Sequence, residues 1–104
     1  MPDDFLLTLC TCPDQSTASA IAETLVRDRL AACVNQIAGV ESTFRWQGAI
    51  ERESEVLLLV KTTGRRFNEL SLRIRELHPY DLPEIIAIPV SQGLPDYLNW
   101  VRQC

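Results

Sequence analysis

At 104 residues the chain has the length of one domain, 1–104, and surface scaling has it bury roughly two thirds of its surface on folding. Its 46% hydrophobic and 23% charged content excludes a disordered segment, and a net charge of -4 argues against a nucleic-acid partner. The opening MPDDFLLTLC carries acid where a signal peptide carries base, and its apolar run is too short for a bilayer span. The expected setting is therefore the cytoplasm, without a membrane partner, and there Cys10, Cys12, Cys33 and Cys104 are expected as reduced thiols. A C-x-C followed by two lone cysteines has neither zinc-knuckle nor CxxC redox spacing.

DFLLTLCT predicts a first strand, halted at Pro13 and Asp14, where Asp14 or Ser16 caps a helix. Ala18, Ile21, Ala22 and Leu25 recur at helical spacing and form the face that needs a sheet, with Glu23, Arg27 and Asp28 toward solvent. A long alternating strand follows, with Val40, Ser42, Phe44 and Trp46 on one side, and Gly48 permits a hairpin reversal. The return strand alternates charge through Glu51, Glu53 and Glu55 and turns solidly apolar from Val56 to Val60, so it begins wet and ends dry.

Thr62 or Thr63 is the expected cap of a second helix with Phe67, Leu70, Ile74 and Leu77 on its inner face, and Pro79 ends it at His78. A short strand in EIIAIPV and a final helical segment with Pro95 in its first turn complete the chain. This order predicts an α+β, ferredoxin-like split βαββαβ fold: a four-stranded antiparallel sheet with two helices on one face, plus a short C-terminal helix. The apolar third strand must then look away from the helices as well as toward them. Its second face needs cover from the tail around Tyr97, Leu98, Trp100 and Val101, or from other copies of the chain.

LAACVN, the Ser42-x-Phe44-x-Trp46-x-Gly48 run, the stretch from Glu53 or Glu55 to Lys61 and Thr62, HPYDLPEIIAIPV and YLNW come in an order and at spacings that resemble the CutA divalent-cation-tolerance family. The resemblance implies a ferredoxin-like subunit in a tight homotrimer, similar to the nitrogen-regulatory PII proteins, with strands crossing subunit boundaries. It implies tolerance to copper, as Cu(I) or Cu(II), or to another divalent metal, and no settled enzymatic activity.

His78, a good ligand type for late first-row metals, either ligates or simply closes its helix. Cys10 resembles the cysteine to which metal is assigned in the family, yet alternates with Leu6 and Thr8 as a core residue would. Some relatives carry a histidine pair before Pro-Tyr, and Leu77 takes the first of those places here, which leaves a third ligand unidentified. Cys12, nearer the helix start, is expected to be the more exposed thiol, and Cys33 a small buried hydrophobe. The carboxylates Glu41, Glu51, Glu53 and Glu55 read as a solvated surface or as partners for Arg45 and Arg52 rather than as a hard-cation site.

Trp46, Tyr80 and Trp100 suit subunit boundaries, where amphipathic aromatics are favoured. Tyr80 and Glu84 are expected to be hydrogen-bonded there, with Asp81 in solvent. Lys61, Tyr80 and Glu84 would also line a polar inter-subunit cleft for a small anionic ligand, the PII-like alternative to metal binding. No Walker-type loop or GxGxxG is present.

Overall fold

The computed structural model describes residues 4–104. The chain runs through β1 (Phe5–Cys12), α1 (Gln15–Arg27), β2 (Cys33–Trp46), β3 (Ala49–Thr63), a 3₁₀ turn (Gly64–Arg66), α2 (Phe67–Leu77), β4 (Ile86–Pro89) and α3 (Pro95–Gln103). The sheet order is β2-β3-β1-β4 with every pairing antiparallel. This is the ferredoxin-like arrangement expected from the order of elements, with α3 added.

Asp14 starts α1, its carboxylate accepting the Thr17 N–H at 2.7 Å. That bond holds the Asp14 carboxyl below the usual carboxylate range. Ala18, Ile21, Ala22 and Leu25 are the buried residues of α1, as their spacing predicts. Leu70 and Ile74 of α2 join them over Cys10 and Cys12 of β1 and Val56, Leu58 and Val60 of β3 in one apolar core. The start of α2 differs from expectation. Neither Thr62 nor Thr63 supplies a side-chain cap, because the chain first makes the 3₁₀ turn and the helix proper begins after Arg66. The Thr62 hydroxyl instead donates to the Leu30 carbonyl at 2.7 Å and ties β3 to the loop after α1.

Register fixes which residues share the second face. Cys33, Lys61, Leu7 and Ile88 stand side by side across the four strands, and Asn35, Leu59, Leu9 and Ile86 form the next row. α3 covers only part of this face: Tyr97 lies over Lys61 and Arg102 over the Phe5 ring. Ile37, Ile86 and Ile88 remain exposed.

The pairing of β1 with β3 ends at Cys12 and Val56, whereas β2 and β3 pair on to Trp46 and Ala49. The hairpin therefore projects beyond the sheet as a two-stranded arm, and the chain measures 44 × 25 × 23 Å. Two features shape the arm. A bulge between Ile37 and Val40 holds Gly39 at φ +80°, and the tip uses Gln47 and Gly48, both at positive φ, as hairpin turns of this hand require.

Candidate metal centre

In a strand, residues two apart face the same way, so Cys10 and Cys12 both point beneath the helices. Each is fully buried. The expectation that Cys12 would be the more exposed thiol is overturned: β1 remains paired through Cys12, opposite Val56, and α1 folds back over it.

His78 reaches the same place from the end of α2. Its N–H still closes the helix on the Ile74 carbonyl at 2.8 Å, but its ring is buried and bonds inward. Nε2 stands 2.8 Å from the carbonyl oxygen of Thr11, the residue between the two cysteines, and Nδ1 accepts the Tyr80 N–H at 3.2 Å. A carbonyl needs a donor and an N–H needs an acceptor, so the tautomer with hydrogen on Nε2 satisfies both. Pro79, directly after the helix, turns the chain so that the Tyr80 ring packs on the His78 ring at 4.7 Å. Helix closure and inward ring placement thus coexist in His78.

The two sulfurs and one His78 ring nitrogen all lie within 4.8 Å of one another, and among the described residues no other His, Cys, Asp and Glu side chains form such a group. The Cys10 thiol is pushed up, by its hydrogen bond to Cys12 and then by burial, with the charges of Glu84 and Glu55 adding to the effect. The same bond lowers Cys12, against burial and the charges of Glu55 and Asp14. Metal–sulfur bonds of about 2.3 Å and metal–nitrogen bonds of about 2.0–2.1 Å span donors at nearly this spacing, and thiolate with imidazole is a donor set for a soft or borderline ion. The residues present fit such an ion.

The remaining candidates are distributed elsewhere. Tyr80 donates its hydroxyl to Glu55 Oε2 at 3.0 Å. Glu55 is buried, which corrects the reading of all four arm carboxylates as solvated, whereas Glu41 stays exposed beside the Ser54 hydroxyl at 3.3 Å. Lys61 lies under Tyr97, and Tyr97 packs on Trp100 with ring centroids 5.6 Å apart. Lys61 and Tyr80 thus have separate partners within the chain. Glu84 and Asp81 are exposed, and Trp46 stands exposed on the arm. Cys33 is only half-buried, because its register partner Lys61 places it on the second face of the sheet rather than in the core. An open cleft of about 410 Å³ lies between Asp4, Leu6, Phe67 and Pro89, and none of the candidate site residues lines it.

An antiparallel ferredoxin-like sheet with a buried cysteine–histidine cluster under its helices defines the class of protein. The family model described as "CutA1 divalent ion tolerance protein" matches residues 6–104, and the chain belongs to that family. It is 48% identical over 95 residues to the divalent-cation tolerance protein CutA of Thermus thermophilus, covering 91% of this chain and 92% of the relative. It is 44% identical to the mouse protein CutA over 99% of its own length, and it spans 58% of that longer relative. The solved Thermus thermophilus structure superposes with a TM-score of 0.94 at 46% identity, covering 95% of this chain and 96% of that one. CutA from Xylella fastidiosa superposes with a TM-score of 0.92 at 50% identity, covering 95% of each chain. No helix among the described residues is long and apolar enough to cross a membrane.

Proposed function

We propose that the chain is the single-domain subunit of a cytoplasmic homotrimer that takes part in metal tolerance by binding copper or another divalent metal at Cys10 and His78. It acts by binding and not by catalysis. The observation that carries this reading is the convergence of the Cys10 sulfur and a His78 ring nitrogen within 4.8 Å, from a strand and a helix end far apart in the sequence. The divalent-cation tolerance named for the Thermus thermophilus relative gives the same direction.

Assembly is supported by what one subunit leaves uncovered. A two-stranded ribbon is marginal on its own, and this one carries Phe44, Trp46 and Ile50 exposed at its outer end. The second face of the sheet is only partly covered by α3, and β2 and β4 are open edges. An obligate interface that covers such surfaces buries at least about 2,000 Å².

The test is native mass spectrometry with calorimetry, adding Cu(I) or Cu(II) to wild type, Cys10→Ser and His78→Ala. The expected result is three chains per particle and metal uptake that weakens in both variants. A particle of one chain would overturn the assembly, and equal affinity and stoichiometry in all three proteins would place any metal elsewhere.

A further inference from the structure

We propose that Cys12 is the third ligand of this site, so that Cys10, Cys12 and His78 form a two-sulfur, one-imidazole pocket for a thiophilic ion of low coordination number, the class of Cu(I). The inference rests on the reading of Cys10 and His78 given above and adds a residue that the pair does not include. Its basis is geometric. Cys12 shares a strand face with Cys10 and is fully buried, and its sulfur lies within 4.8 Å of the other two donors. An ion bonded to two sulfurs at about 2.3 Å each spans at most about 4.6 Å between them, so small side-chain rotations bring all three donors onto one centre.

The donor set and its burial select the class. Magnesium and calcium need oxygen donors and retain water, which a buried sulfur pocket does not offer. Cu(II) favours tetragonal nitrogen and oxygen sites. Structural zinc is almost always four-coordinate, and this group supplies three donors with no fourth among the described residues. Cu(I) has a filled d shell, prefers soft thiolates and is satisfied by two or three donors.

Binding involves no electron transfer. Copper enters as Cu(I), metal–sulfur bonds form, and the thiol protons leave to the solvent. One His78 nitrogen exchanges its present partner, Thr11 or Tyr80, for the ion. Ligation through Nδ1 keeps the Nε2–H bond to the Thr11 carbonyl, which orients the ring as outer-shell partners of metal-bound histidines do, whereas ligation through Nε2 moves the ring hydrogen to Nδ1 and gives up both present bonds.

The half-buried thiols Cys33 and Cys104 are first removed by Cys33→Ser and Cys104→Ser, so that uptake reports the cluster alone. That protein then competes anaerobically for Cu(I) with the chromophoric chelator bathocuproine disulfonate, alongside forms that also carry Cys12→Ser, Cys12→Ala, Cys10→Ser or His78→Ala. Circular dichroism melts of each metal-free form identify any variant that fails to fold. The expected result is one Cu(I) per chain, with affinity reduced at least about tenfold by either folded Cys12 variant, and weaker retention of Zn(II) against a chelator. Undiminished affinity in Cys12→Ala, with loss in Cys10→Ser and His78→Ala, would overturn the third ligand and leave the two-residue reading standing. Unchanged affinity in every variant would overturn both. Tighter Zn(II) than Cu(I) in the parent protein would overturn the proposed class.

Discussion

The hydroxyl of Thr8 is fully buried on the helix side of β1, between register partners Val60 and Ala87, and its oxygen has no hydrogen-bond partner. An orphaned buried hydroxyl costs about 1–3 kcal/mol, and valine has nearly the same shape without it. Thr8→Val is therefore expected to stabilise the protein by about 1 kcal/mol in thermal or denaturant melts; a loss of stability would show that the hydroxyl finds a partner in solution. Tyr80 gives a second prediction at this scale. Its phenol is pushed up to about 12, first by burial and then by its bond to Glu55. A phenol in the unfolded chain ionises near pH 10, so between about 10 and 12 the unfolded state has lost a proton that the folded state keeps. This contribution is complete below the lower value and disappears as pH rises through the window. Ultraviolet titration should show a late phenolate that Tyr80→Phe removes, and a titration that Tyr80→Phe leaves unchanged at its alkaline end would contradict it. Cys12 marks a limit of sequence reading at the same scale. The predicted strand DFLLTLCT stopped short of it and its nearness to the helix start suggested exposure, and only the continued pairing with Val56 shows otherwise.

Elements whose residues repeat regularly were the most legible. The buried set of α1 and the wet-to-dry course of β3 follow directly from their spacing, since periodicity records which side faces the core. The bulge at Gly39 and the 3₁₀ turn before α2 were not legible, because both depend on what lies opposite in space. The convergence of His78 with Cys10 and Cys12 has the same origin, since His78 and Thr11 are 67 positions apart and only the topology joins them. Arg66, in the unforeseen turn, has a tertiary task. Its guanidinium donates to the Val101 carbonyl at 3.1 Å and to the Arg102 carbonyl at 2.7 Å, satisfying the last turn of α3 from outside that helix. A nine-residue helix is too short to persist alone. Arg66→Ala should therefore cost about 1 kcal/mol and speed amide hydrogen exchange selectively in α3. Unchanged exchange there would mean that apolar contacts alone hold the helix.

For the whole molecule, the proposed assembly would tie the stability of a chain to its projecting arm. If Trp46 is an anchor in a neighbouring copy, Trp46→Ala should cost at least about 2 kcal/mol and shift the particle toward smaller or unfolded species in sedimentation. An unchanged particle with an unchanged melting temperature would make the side chain peripheral. The sheet order has a further consequence during synthesis. β1 leaves the ribosome before every other described strand, yet it ends between β3 and β4, with Leu6 paired to both Thr62 and Pro89. The β2–β3 hairpin can zip locally across its two-residue turn, while β1 must wait with both hydrogen-bonding edges open. Pairing with β3 closes one of those edges once Thr63 has been made, and the other stays open until β4 is complete, so the nascent chain carries an unpaired inner strand edge, open to aggregation, until Pro89 has been added.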